Sequence, residues 1–252
     1  IGLDAAMGES DTKFVKVSVL PKVDPLIAER AVFCAVPNYD PNNYHLELWQ
    51  STRDVSNVQA ANENNLRFLP SSTTIHTLSD ADLAQRMNAV SAKLERCVGI
   101  SGAFQAFLDL RPMAYRTDLY RAAQLWDSGG LWLDDKVWLT QDFSTFVDVS
   151  EDEIVLPMEH IGRRKQHQSV WNGILWSRPR HQVWEHIIRH IVSNVQQRLY
   201  FNKNDYDDPW LAISGPLAYL HGFQKYQKST SASARRDLES VGNHGSCSEC
   251  TC

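Results

Sequence analysis

Asp134, Asp135 and Lys136 follow the apolar run Leu131-Trp132-Leu133 within DSGGLWLDDKVWL, residues 127–139. Carboxylates at the carboxyl end of a buried strand are costly unless a metal ion, a substrate or a salt bridge meets them. Hard oxygen ligands of this kind can hold a divalent cation, which would neutralise a phosphate leaving group. Strand alternation would put 134 and 136 on one face and turn 135 away. A charged lysine is no metal ligand, so Lys136 breaks any pattern of paired acids. Upstream, Tyr115, Asp118 and Arg121 are three apart and drift slowly around one side of a helix. Asp118 and Arg121 can lean toward the end of the following strand, or simply pair with each other on an exposed face. GRRKQHQ (162–168) is the most basic stretch and reads as a solvated loop, with phosphate or an anionic acceptor as the alternative.

The elements that must position these residues are legible in part. LSDADLAQRMNAVSAKLERCVG is a helix, with Ser79 as N-cap, Asp82 completing a capping box, and Gly99 as the stop. A second helix runs from Pro112, with Leu119, Ala122, Ala123 and Trp126 as its apolar stripe, and Gly129-Gly130 ends it. LWL (131–133) is a strand, and EIVLPM and NGILWS are two more. RHQVWEHIIRHIVSNVQQRLYF carries Trp184, Ile187, Ile188, Ile191, Val195 and Leu199 on one wide face. Glu29–Pro37 reads as a buried strand, NYDPNNYH as a turn-rich loop, and STSASARR near 229–236 as a linker. Strands alternating with helices give an α/β fold, whose sites lie at the carboxyl ends of strands.

The 252 residues, 43% of them hydrophobic and with eight Trp, can bury a large core. The net charge is −5 without a long basic run, which argues against nucleic acid as a partner. No apolar window is long enough for a membrane span. IGLDAAMGES begins without Met and has no signal-peptide pattern, and so reads as the start of a processed product. Cys34 and Cys97 stand alone, and Cys247, Cys250 and Cys252 crowd the tail. An odd count argues against a disulfide framework, and the tail reads as reactive thiols, a bridge or a metal holder.

The stretch AYRTDLYRAAQLWDSGGLWLDDKVWL resembles the sugar-binding region of glycosyltransferase family 32. That family has an S-D-x-x-R helix, a Gly-Gly-aromatic-x-D turn and a D-x-D motif, and includes yeast Golgi mannosyltransferases and clostridial glucosylating toxin domains. VWNGILWSRPRH is similar to its Asn-containing strand segment, and AISGPLAYL to its hydroxyl-Gly-Pro element. Together these cover roughly residues 105–222, while the first hundred residues match poorly. The resemblance implies a GT-A-type, Rossmann-like sheet, mixed and mostly parallel, flanked by helices. One domain over 1–228 would be followed by a flexible Ser/Cys-rich tail, 229–252.

It also implies retaining transfer of a sugar from a UDP- or GDP-linked nucleotide sugar to a glycan or protein acceptor. Asp134 and Asn172 are then the expected catalytic residues. Tyr115, Asp118, Arg121, Gly130, Asp135, Lys136, Ser214 and Gly215 form the expected donor-binding set. Asp134 and His244 are the expected ligands of Mn2+ or Mg2+. His244-Gly245-Ser246 is similar to the family's terminal His and Gly-Ser-Trp element, with Cys247 where the family has Trp. The second acid of the D-x-D is Lys136 here. Asp134 could hold a metal with outside help, Lys136 could itself meet the diphosphate, or the metal site is dead. The last reading makes the chain an inactive glycosyltransferase-like subunit with a protein partner in a larger assembly. The resemblance favours the Golgi lumen or another secretory compartment.

Overall fold

The computed structural model describes residues 13–16, 34, 39–52, 55–161, 167–199 and 209–242. Within them, Leu131, Trp132 and Leu133 belong to a fully buried strand, β4 (Gly130–Leu133), at the centre of the sheet. β4 pairs in parallel with β2 (Glu47–Ser51), which pairs in parallel with β3 (Thr74–Leu78) at the edge. On its other side β4 pairs antiparallel with β7 (Ile174–Ser177), and β7 with β5 (Ile154–Ile161). β5 also pairs antiparallel with β1 (Lys13–Lys16) and β6 (His167–Val170). The order is β1-β5-β7-β4-β2-β3, so the parallel part of this mixed sheet is β4-β2-β3. The α/β architecture expected from the sequence is the one observed.

Alternation along the central strands separates two cores. Leu48, Leu131 and Leu133 face one layer with Leu139, Phe143 and Trp176. Trp49 and Trp132 face the other, where α2 (Asp80–Val98), α4 (Met113–Ser128), α5 (Gln182–Gln196) and α6 (Pro216–Gly242) pack. α2 is capped as expected: Ser79 Oγ and the Asp82 carboxylate exchange bonds with each other's backbone N–H, and Gly99 closes the helix at φ 66°. Gly130 lets two strands approach, because a Cβ there would lie 2.4 Å from the Glu47 carbonyl oxygen.

Several sequence expectations change. α5 ends at Gln196 rather than running through Phe201, with Arg198 at φ 50°, so Leu199 leaves the apolar stripe and is exposed. Residues 229–236, read as linker, lie within α6, which runs on to Gly242: the hydroxyls of Ser229, Thr230 and Ser231 bond back to carbonyls of the preceding turn. Cys34 and Cys97, isolated in sequence, form a disulfide with Cα atoms 5.5 Å apart. The helices α1 (Val55–Asn65) and α3 (Ala103–Asp109) and the strands β2 and β3 carried no sequence expectation, and β6 begins at His167, within the 162–168 stretch read as a loop. The Glu29–Pro37 strand, apart from Cys34, lies outside the described residues. So do most of the 162–168 basic stretch, His244 and the three tail cysteines. No helix among the described residues is long and apolar enough to cross a membrane.

Candidate functional site

Four segments remote in sequence meet at the carboxyl end of β4. α4 presents Asp118 and Arg121. The end of β4 presents Asp134, whose backbone N–H extends the ladder to β7 by bonding the Gly173 carbonyl at 2.9 Å. Because β7 runs antiparallel, the turn before it places Asn172 at this same edge. Ser214 arrives in the turn that precedes α6, and a buried amide on α5 sets that turn. Asn194 Nδ2 donates to the carbonyls of Ala212 and Ile213, each at 3.1 Å.

Asp118 is the hub. Asn172 Nδ2 donates to its Oδ1 at 2.9 Å, and Ser214 Oγ donates to its Oδ2 at 3.1 Å. Arg121 Nη2 lies 3.2 Å from Oδ1, and Tyr219 OH donates to the Asp118 carbonyl at 2.6 Å. Asp118 is 8% exposed and Arg121 5%. Burial pushes the Asp118 carboxyl up to about 7, against the pull of Arg121 and Ser214. For Arg121 burial acts downward, but Asp134 and Asp118 outweigh it, and the guanidinium is held above its ordinary value.

Arg121 links the hub to the strand end. Its Nη1 lies 3.1 Å from Asp134 Oδ1 and also donates to the Asn172 carbonyl. Its guanidinium sits 5.2 Å from the centre of the Trp132 ring, and Trp132 Nε1 donates to the same Asp134 Oδ1 at 2.9 Å. Arg121 Nε is buried without a hydrogen-bond partner among the described residues. One cation thus serves two carboxylates, and the Asp134 side chain is 40% exposed.

Of the residues expected from the sequence, Asp118, Arg121, Asp134, Asn172 and Ser214 converge. Gly215 lies beside them, since a Cβ there would come 3.6 Å from Asp118 Oδ2. Tyr115 packs at the edge of the helical core, near enough that Asp118 helps burial to raise its phenol. Gly130 is not brought to the cluster, for it lies at the amino end of β4. Asp135 does not turn away from neighbouring structure. β4 ends at Leu133, and Val137 N–H closes a turn on the Asp134 carbonyl at 3.0 Å, so strand alternation stops applying. Asp135 Oδ2 instead accepts from Thr52 Oγ1 at 3.2 Å, just beyond β2. Lys136 is exposed in that turn and makes no ion pair among the described residues. Trp132, Tyr219 and Thr52 were missed. Trp132 had a signal, because residues 132 and 134 share a strand face, while Tyr219 and Thr52 needed the fold.

Among the described residues the strand end does not assemble a donor set for a divalent cation, and His244 lies outside them. One Asp134 oxygen is engaged by Arg121 and Trp132, an Asp135 oxygen accepts from Thr52, and the next position is a lysine. No group of three or more His, Cys, Asp or Glu side chains could hold a metal among the described residues.

No family model and no curated protein matches the sequence. Among solved structures, the chain is similar to one described as "PaToxG Glycosyltransferase", at 11% identity and a TM-score of 0.48, over 86% of this chain and 82% of that one. At that level the reading of the site rests on its own residues.

Proposed function

We propose that the chain is a retaining glycosyltransferase that moves a sugar from a UDP- or GDP-linked donor to a glycan or protein acceptor. One observation carries this. The positions that resemble the family 32 sugar-binding motifs, spread from 118 to 214, close into one hydrogen-bonded cluster around Asp118. Ordinary surface ion pairs on a helix do not recruit an amide and a hydroxyl from two distant turns.

In this reading the cluster orients the donor sugar through Asp118, Arg121 and Asn172, and Asp134 faces the reacting carbon from the strand end. A departing nucleoside diphosphate accumulates negative charge, which fixed cations stabilise. Lys136, exposed beside Asp134, is the residue for that role, and no step is routed through a metal. The Cys34–Cys97 disulfide supports an oxidising, secretory compartment.

A second reading has specific support. Both oxygens of Asp118 are already taken inside the protein, and it and Arg121 are more than nine-tenths buried. A donor must displace an internal partner, which suits an inactive relative that binds another protein. A thermal-shift series with UDP- and GDP-sugars, each with Mn2+ and with EDTA, separates the two, because donor binding raises the melting temperature. A shift with at least one donor is expected, and silence with all of them would leave the inactive reading.

A further inference from the structure

The helices α5 and α6 cross closely at Gly222, where a Cβ would lie 2.6 Å from the Ile187 Cα. Basic groups flank that crossing. His186 and His190 stand one turn apart on α5, and His221 and Lys225 one turn apart on α6. Lys225 Nζ lies 3.0 Å from His190 Nδ1, and the His190 and His221 rings are 5.4 Å apart. The His186 ring packs on Tyr226 at 5.8 Å, with its Nε2 3.4 Å from Ser229 Oγ. An ammonium only donates, so His190 Nδ1 is the acceptor and the ring proton is on Nε2. That N–H is buried without a hydrogen-bond partner among the described residues. No carboxylate among them pairs with His186 or His190. The acids of the elements packed here are engaged elsewhere: Glu185 with Trp126, Asp127 with Lys93 and Arg180, Asp109 with Gln105, Glu159 with Ser169, and Glu153 with His181. Arg189 bonds the Val98 and Gly99 carbonyls and adds positive charge beside His186.

The same two helices assemble part of the Asp118 cluster. α6 brings Tyr219 OH to the Asp118 carbonyl, and the turn before it brings Ser214 Oγ to Oδ2. α5 braces that turn through Asn194, one helical turn after His190. A proton arriving at His190 Nδ1 removes the acceptor for Lys225 and sets two cations against each other. If Lys225 swings into water, an imidazolium without a carboxylate is left at a half-buried position. The close crossing at Gly222 keeps the rings together for as long as the helices stay paired. Burial first, then Lys225 and His221, hold His190 at about 4, below its ordinary 6.5, and burial moves His186 and His221 in the same direction. The closed seam is therefore fully supported above pH 6.5 and loses that support as pH falls toward about 4.

We propose that the α5–α6 seam is an acid-sensitive latch on the Asp118 cluster: protonation of His190 beside Lys225 and His221 parts the two helices and withdraws Ser214 and Tyr219 from Asp118. The latch does not rest on the transferase reading; only its effect on a sugar donor does. The test is amide hydrogen exchange of the full chain without ligand, from about pH 7 to about pH 5, corrected for the intrinsic exchange rate. Residues 209–226 should open about tenfold more readily at the acid end, while α2 keeps its protection. Asp118 titrates in the same range, so the effect is assigned by a variant that leaves it untouched. Lys225→Glu, at an exposed position, gives the protonated His190 a carboxylate and should hold the seam closed in acid. His190→Gln should flatten the profile as well, because the titrating group is gone. A flat profile in the parent, equal profiles in the parent and Lys225→Glu, or α2 opening together with α6 would each overturn the latch. Failure of the latch leaves any donor-induced thermal shift, and with it the transferase reading, in place. Silence with every donor leaves the latch in place.

Discussion

Two clusters on α4 use the same residue types with opposite balance. At the carboxyl edge of β4, Arg121 lies over Trp132 and bridges two carboxylates, Asp118 and Asp134. At the other end of α4, Arg180 lies 3.9 Å from the centre of the Trp126 ring and pairs with Asp127 at 2.9 Å, while Lys93 holds the second Asp127 oxygen at 2.6 Å. There one carboxylate serves two cations. Arg180 N–H also bonds the Trp126 carbonyl, which ties the end of α4 to the turn before α5. Arg180 sits at φ 62°, a conformation unfavourable for a side chain, and the tie helps hold it. Both clusters leave buried guanidinium nitrogens unpaired among the described residues, but the first leaves the Asp134 carboxylate partly exposed, whereas both oxygens of the buried Asp127 are taken. An Asp–Arg pair on a tryptophan is thus no functional signal alone. The surplus charge and its access to solvent make the difference.

The largest effect should come from breaking the Asp127 cluster, which staples the end of α4 to the turn before α5. Asp127→Ala leaves Arg180 and Lys93 without their carboxylate, and a buried pair broken on one side costs ~3–5 kcal/mol. The urea midpoint should fall accordingly, while any nucleotide-sugar shift persists at temperatures where the variant is folded. A loss below ~1 kcal/mol would remove the staple from the comparison.

Asp134→Asn should do the reverse. The side chain is 40% exposed, so the stability change should stay near ~0.5 kcal/mol. Transfer should fall about 100-fold, roughly 2.7 kcal/mol, because the developing positive charge at the sugar loses its carboxylate. A loss of stability in place of activity would make the two clusters alike.

How much of this could be read beforehand depends on how local each signal is. Ser79, Asp82 and Gly99 mark both ends of α2, and Gly129-Gly130 the end of α4, since caps are set by neighbours in sequence. β2 and β3 were not legible. Their parallel pairing supplies the order, HLELWQS alternates weakly, and TIHTL is an edge strand with mostly half-buried side chains. At the site, spacing placed Asp118, Arg121 and Asp134 on one side of one helix–strand unit. Asn172 and Ser214 entered only through resemblance, because their meeting depends on β7 running antiparallel and on Asn194 bracing a turn. Lys136 was misplaced for a physical reason: strand alternation was extended past Leu133, where the chain turns.

The pH dependence separates the cluster from the rest of the molecule. Asp118 has its folded value raised to about 7 from 3.8, burial being the first cause. The folded form then holds a proton that the unfolded form has lost, so its contribution is full below about pH 4 and disappears as pH rises through about 7. His190 works in the opposite sense. Burial first, then Lys225 and His221 from α6, lower it to about 4 from 6.5, and Lys225 Nζ sits 3.0 Å from its Nδ1. Its contribution is present above pH 6.5 and is lost as pH falls through about 4. Urea midpoints between pH 4.5 and 7.5 should therefore climb more steeply with pH in Asp118→Asn and fall with pH in His190→Asn. Matching profiles for both variants and the parent would mean that neither group titrates as its surroundings dictate.

The smallest expected effect bears on the surplus charge itself. Lys136 is exposed and makes no ion pair among the described residues, so Lys136→Ala should leave stability within ~0.5 kcal/mol. Donor affinity should fall about tenfold, as expected for one lost charge contact to the diphosphate. Lys136→Asp sharpens this, because it turns the lysine of the turn into a third carboxylate beside Asp134 and Asp135. In EDTA the variant should bind donor more weakly than Lys136→Ala, since repulsion replaces attraction. With Mn2+ added, its affinity should rise above its own EDTA value, while the parent responds little. Equal Mn2+ dependence in parent and variant would place the diphosphate's counter-charge elsewhere, and the imbalance around Arg121 would then belong to the sugar alone.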